Sequence, residues 1–318
     1  MYSNNIKANE TKTPEHTLGP ATLIVADLKR CTDFYHQTIG LTVRQSDGQH
    51  TSLGTGQQEL LVLRHMPHAP PAGITTGLYH IAFLLPSRQY LARQLLHFER
   101  TGVQLSGAAD HDVSEALYLT DPEGNGLEIY RDRPRDEWRY PGGHLQMGTK
   151  ALDWRDLLAA ADSAGPFTGM PEGTRLGHIH LRVSDLAASE AFYRDVLGME
   201  VTARYGRDAA FLSYNGYHHH LGINTWESRG VPPAPIGARG LEHFSLRVAT
   251  SEAWDRLLSR AAAFNALKSF SNDSATLCDP NNRTIQLYRR STLARPNRAA
   301  AKEHFSKRRT NSGSNGFR

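Results

Sequence analysis

"LGHIHLRVSDLAASEAFYRDVLGMEV", residues 176–201, reads as a short strand, then a helix, then the start of a second strand. His178 and His180 stand two apart in the strand, so their side chains project from one face. Asp185 can cap the helix and Gly198 can end it. The same order recurs almost position for position in "LGPATLIVADLKRCTDFYHQTIGLTV" (18–43), with Asp27 and Gly40 at the two helix ends. Two further units open at "GLYHIAFLLPSRQYLARQLLHFERTG" (77–102) and "GLEHFSLRVATSEAWDRLLSRAAAF" (240–264), each an alternating strand running into an amphipathic helix. Their ends agree too, since "LTDPEGNGLEIYR" (119–131) and "LCDPNNRTIQLYR" (277–289) both place a strand after an Asp-Pro turn. Self-similarity of this kind marks a repeat architecture. The predicted fold class is α+β, built from four βαβββ modules.

The modules fall into two halves: 16–140, with modules 16–66 and 76–135, and 174–292, with modules 174–228 and 239–290. A Pro/Gly-bordered connector, 141–173, carries one short predicted helix at 153–162. Residues 1–15 are expected as a disordered N-terminus. The segment 293–318 is expected as a basic disordered tail, because it has too few apolar residues to repay its ordering entropy. With 318 residues, 39% of them hydrophobic and 21% charged, the chain has ordinary globular composition. No apolar run approaches the roughly 20 residues that span a membrane, and "MYSNNIKANETKTPEH" lacks the pattern of a secretory signal, so a cytoplasmic location is expected. The net charge of +4 gathers in the tail, and no nucleic-acid partner is expected. Cys31 and Cys278 have no CxxC neighbour and read as packing residues. Phosphate-binding glycine loops and a GxSxG elbow are missing.

Four such units resemble the vicinal oxygen chelate superfamily. "NGYHHHLGINTW" (215–226) and "DHDVSEALYLTDPEGNGLEIY" (110–130) look more closely like the bacterial two-domain catechol 2,3-dioxygenases, which are extradiol ring-cleaving enzymes. The resemblance covers about residues 16–290. It implies modules paired into two cupped-sheet domains, with metal ligands on the first and last strands that face a cup.

Laying the first strands over one another puts Pro20, His80, His178 and His243 at one place; the seventh residue after each Asp-Pro aspartate is Glu128 or Gln286. An Fe(II) or Mn(II) ion with room for substrate and oxygen is held by two imidazoles and one carboxylate on one face. Proline cannot ligate and a glutamine amide is a poor, uncharged ligand. Only the second and third modules supply a full set, so His80, Glu128 and His178 are the expected metal ligands, with Fe(II) favoured and Mn(II) the second candidate. The family's other arrangement would use His178, His243 and Gln286, and lacks a carboxylate. His180 falls off the repeated ligand place and is expected to pack behind the ligands.

The run His218, His219, His220 is placed on the last strand of the third module, where alternation sends His219 to one face and its neighbours to the other. The resemblance gives His219 the acid–base role, which suits an imidazole whose pKa lies near neutral. Tyr118 stands ten residues before Glu128, as the family's active-site tyrosine does, and a phenol donates a hydrogen bond without adding charge. His111 is expected to line the same pocket. The implied partners are an aromatic diol and O2, the implied product type a 2-hydroxymuconic semialdehyde, and homo-oligomers are common in the family. Two rival readings stand beside this one. A glyoxalase-like isomerase or transferase typically takes a carboxylate from each paired module, but the third module offers His220 at the register of Glu128. A non-catalytic small-molecule binding or resistance protein generally lacks the metal ligands.

Overall fold

The computed structural model describes residues 16–161 and 165–289. The expectations for 1–15 and 293–318 lie outside the described residues. The first module is β1 (His16–Val25), α1 (Leu28–Asp33), β2 (Thr42–Ser46), β3 (His50–Thr55) and β4 (Gln58–His65). The second is β5 (Gly77–Leu84), α2 (Arg88–Thr101), β6 (Gly107–Asp110), β7 (Ser114–Thr120) and β8 (Gly126–Asp132). The connector contributes β9 (Lys150–Ala151) and α3 (Trp154–Ala159), the helix expected over 153–162. The third module is β10 (Arg175–Arg182), α4 (Leu186–Asp195), β11 (Glu200–Tyr205), β12 (Ala209–Ser213) and β13 (Leu221–Asn224). The fourth is β14 (Gly240–Val248), α5 (Ser251–Ala263), β15 (Leu267–Phe270), β16 (Ser274–Cys278) and β17 (Thr284–Arg289).

Local chemistry sets the helix ends. The Asp27 and Asp185 carboxylates accept from the backbone N–H of Arg30 and Ala188, satisfying donors that the first turn leaves open. Gly40 and Gly198 take φ of +92° and +77°, the left-handed conformation that ends these segments. In α5 the buried Ala253, Trp254, Leu257 and Ala261 form one apolar stripe that lies on the sheet.

Each module folds its last strand parallel to its first, as in β5 beside β8 and β10 beside β13. That uses one edge of the first strand and leaves the other open. The open edges pair antiparallel, β1 with β14 and β5 with β10. The result is an eight-stranded sheet from the first and fourth modules and a nine-stranded sheet from the second and third, with β9 at its edge. The sheets therefore do not coincide with the halves 16–140 and 174–292. An edge strand accepts any first strand of matching pattern, so nearness in sequence does not choose the partner.

A second set of contacts crosses the sheets. Tyr35, from the F-Y pair of the first module, donates to Asp121 Oδ2 in the second module's Asp-Pro turn at 2.9 Å. Tyr193 does the same to Asp279 Oδ2 in the fourth module at 2.5 Å. Both tyrosines are fully buried. Glu123 then accepts from the backbone of Ala26 and Asp27, and Asn281 from that of Ser184. Strand pairing joins module 1 to 4 and 2 to 3, while these bonds join 1 to 2 and 3 to 4, so the modules close into a ring. Among the described residues, no helix is long and apolar enough to cross a membrane.

Gly177 sits where a Cβ would lie 1.9 Å from the Tyr130 hydroxyl. Gly177→Ala is expected to destabilise the protein by about 1–3 kcal/mol, the usual cost of overpacking a filled core. Urea unfolding should show the loss, and adding Tyr130→Phe, which removes the obstructing oxygen, should recover part of it.

Candidate metal centre and its pocket

Three adjacent strands of the nine-stranded sheet each present one residue to the same face. Glu128 on β8 and His178 on β10 both stand opposite Ala82 of β5, and His80 lies two residues before Ala82. The small Ala82 side chain leaves the space on which the three longer ones converge. His80 Nε2 lies 3.0 Å from Glu128 Oε2, His178 Nε2 lies 3.1 Å from the same oxygen, and the two nitrogens are 3.2 Å apart. All three side chains are buried, and among the described residues they form the one group of three His, Cys, Asp or Glu side chains with its donor atoms gathered this closely.

No arrangement of protons satisfies all three contacts. If both imidazoles donate to Glu128, their N–H groups crowd each other at 3.2 Å; if one donates to the other, it forgoes the carboxylate. A cation in the middle satisfies every lone pair. Donors about 3.0 Å apart are also what one face of an octahedron presents when each bond is about 2.1 Å. The donor set fits a divalent ion.

Electrostatics prepares the same state. Burial alone would raise the Glu128 carboxyl, but His178 and His80 together outweigh it and hold the group well below the usual carboxylate range. Burial lowers His178 to about 4, against the opposing pull of Glu128. The centre thus sets an ionised carboxylate beside a His178 imidazole whose lone pair is available.

His219 lies beside this centre, its ring centroid 4.1 Å from that of His178. The histidine run departs from expectation here. His218, His219 and His220 are not on a strand but in the turn between β12 and β13, and the alternation argument does not apply to them. The chain turns at Asn215 and Gly216, both at positive φ, and the bend brings His218 Nδ1 to 2.7 Å from His219 Nδ1. His218 Nε2 lies 2.9 Å from Asp132 Oδ1, and the same oxygen accepts from Tyr217, whose hydroxyl meets that of Tyr130 at 2.8 Å. His220 turns aside and accepts from the Tyr214 backbone N–H.

On the other flank, Tyr118 of β7 pairs directly across from Glu128, so the spacing of ten is the register of a hairpin. Burial, then the nearby Glu128 charge, pushes its phenol well above the ordinary value, which keeps it protonated. Its hydroxyl is 2.7 Å from His111 Nε2, and His111 Nδ1 is 2.7 Å from the carbonyl of Gly148. The carbonyl can only accept, so Nδ1 carries the ring proton and Nε2 receives the phenol's. His180 packs against His80 with ring centroids 5.0 Å apart and accepts from Asn224 Nδ2. Gly222 permits this, since a Cβ there would lie 2.8 Å from the His180 ring.

The equivalent place in the other sheet holds no such set. His243 is bonded to Thr22 at 3.1 Å, and Gln286 accepts from Thr276, the residue standing where Tyr118 stands opposite Glu128. Sequence reasoning missed Asp132, Tyr130, Tyr217 and the part His218 plays. Asp132 and Tyr130 were within reach, because both share the strand face of Glu128 by period two. Tyr217 and His218 meet them only through the turn. His80, Glu128, His178, His219, Tyr118 and His111 all border one cavity of about 640 Å³.

The buried imidazoles make the metal-free protein acid-sensitive. Unfolded histidines bind a proton near pH 6.5, whereas burial lowers His178 to about 4 and His220 to about 3. Between these limits the unfolded state holds more protons, so stability is full above about pH 6.5 and falls as the pH drops toward 4. Unfolding the metal-free protein at pH 5 should take up about two protons from these residues, measurable as a fall in the urea midpoint from pH 7.5 to pH 5.

Comparison with known proteins agrees with this architecture. Residues 16–129 and 175–266 match the model of the glyoxalase/bleomycin resistance protein/dioxygenase superfamily. A catechol-2,3-dioxygenase of Bacillus subtilis (strain 168) is 42% identical over 248 residues, 76% of this chain and 86% of that one. Among solved structures, a putative dioxygenase of Bacillus subtilis superposes with a TM-score of 0.58 at 14% identity, covering 88% of this chain and 86% of its own. Glyoxalase I from Zea mays does so with 0.55 at 17%, covering 86% and 92%; at such identities the likeness is one of fold. Four βαβββ modules paired into two sheets, matched over both stretches and by a relative along three quarters of the chain, place this protein in the glyoxalase/bleomycin resistance protein/dioxygenase superfamily.

Proposed function

We propose that the chain is an extradiol ring-cleaving dioxygenase that opens catechol or a substituted catechol with O2, yielding a 2-hydroxymuconic semialdehyde-type product. His80, Glu128 and His178 would hold Fe(II), with Mn(II) as the second candidate. The observation that carries this reading is the placement of two imidazoles and one carboxylate on one side of a cavity, with acid–base groups at the same wall. The 42% identity to a catechol-2,3-dioxygenase supports it.

The cation would supply a Lewis acid for both diol oxygens and an electron path between the diol and O2. Glu128 offsets one of its charges. Because Asp132 can only accept, His218 donates to it from Nε2 and receives His219 Nδ1–H at its own Nδ1. That leaves His219 Nε2 with a free lone pair, able to take a diol proton and return it later. The resulting positive charge is shared through His218 with Asp132. Tyr118, held by His111 Nε2 at 2.7 Å and standing opposite Glu128, would turn its O–H toward a substrate oxygen where negative charge develops. The glyoxalase reading fares less well: strand register puts Gly222, and not the expected His220, where Glu128 stands in the second module, and no second carboxylate joins the group among the described residues.

Protein loaded with Fe(II) under argon and then given catechol and air should consume O2 and form a yellow product. Glu128→Gln should retain less than about a tenth of the metal, by elemental analysis, and be inactive. His219→Asn should keep its metal while kcat falls by about 10²–10⁴, the usual share of a general acid–base. Turnover of methylglyoxal with glutathione and no oxygen uptake would favour the isomerase instead.

A further inference from the structure

We infer, building on the dioxygenase reading, that the diol taken by this cup carries an uncharged apolar substituent of about ring size, and that Gly107 leaves the room for it. The cavity of about 640 Å³ is in the range that encloses a drug-sized ligand. A single six-membered ring with two oxygens fills a fraction of it.

The free space can be located. Gly107 of β6 stands directly opposite Tyr118 of β7, and cross-strand partners share a face. A side chain at 107 would therefore point, like that of Tyr118, into the cup. A Cβ built there meets nothing within 4 Å, and the backbone is not in the left-handed region, so no backbone constraint demands glycine. Two residues on, Ala109 repeats the pattern on the same face with another small side chain.

The chemistry of the walls indicates what enters. Of the described residues bordering the cavity none is arginine or lysine, and the one carboxylate among them is Glu128, already engaged with the two histidines. A substituent bearing a carboxylate would meet no arginine or lysine among these residues and would give up part of its hydration on entry. At the rim, Tyr79, Tyr205 and Trp226 are exposed by 37%, 56% and 44%, and Tyr79 and Trp226 meet edge to face at 5.3 Å. Aromatic faces left open to water around a cavity suit a second apolar or aromatic group.

The test uses Fe(II)-loaded protein with catechol, 3- and 4-phenylcatechol and 3,4-dihydroxyphenylacetate, reading kcat/KM together with binding by calorimetry on the metal-free chain. The better phenylcatechol should exceed catechol by at least about tenfold and the acid by about 100-fold, within the discrimination apolar pockets achieve. Gly107→Leu should lower the ratio of phenylcatechol to catechol kcat/KM by at least about tenfold. An acid handled as well as the phenyl compound, or a ratio that Gly107→Leu leaves in place, would overturn the inference. If no diol is cleaved, the dioxygenase reading fails while the calorimetric order still decides: tighter binding of phenylcatechol than of the acid upholds the apolar subsite, and the reverse order removes it.

Discussion

A carboxylate buried between two imidazoles is the constraint around which this protein is arranged. Taking Glu128 out of water at 2% exposure carries a large desolvation cost unless an opposite charge meets it. The two neighbouring imidazoles answer with hydrogen-bonding groups, at the price of crowding three donor atoms within 3.2 Å of one another. A divalent cation among the three would satisfy every lone pair at once. The cluster exists only because β8, β5 and β10 lie side by side with the small Ala82 between the longer groups.

Keeping those strands adjacent falls to contacts elsewhere. The antiparallel β5–β10 pair joins residues nearly a hundred positions apart. Its counterpart, β1–β14, holds the first and last modules together on the other sheet. The buried Tyr35–Asp121 and Tyr193–Asp279 bonds tie each sheet to the other. Every module thus has one partner through its strand edge and another through its helix and turn, and none can leave without breaking both. The sheet without a ligand set, with Thr22, His243, Thr276 and Gln286 bonded in pairs, serves this closure too.

Around the triad, polar chains run in two directions. One leads from His219 through His218 to Asp132 and the Tyr217–Tyr130 pair, the other from Tyr118 through His111 to the Gly148 carbonyl. In each the histidine meets a group that can only accept, Asp132 in one and the Gly148 carbonyl in the other, which fixes the ring protons. Under the proposed function these two chains would be the acid–base groups on either flank of the candidate metal centre.

The four modules, their caps and the convergence of His80, Glu128 and His178 were legible in one dimension because each rests on local periodicity. A capping Asp, a terminating Gly and a period-two strand depend on near neighbours alone, and aligning the repeats leaves Pro20 and Gln286 unable to do what His178 and Glu128 can. The spacing of Tyr118 from Glu128 was visible, yet its meaning as a hairpin register was not. Folding decided which edges meet, and so that the second and third modules share one sheet while the halves 16–140 and 174–292 do not. It also decided the course of the histidine run, which a bend at Asn215 and Gly216 takes off the strand and against Asp132, 86 positions away from His218. Strand edges carry interchangeable backbone donors and acceptors, and a turn's path follows from what it packs against; neither is written in the spacing of side chains along the chain.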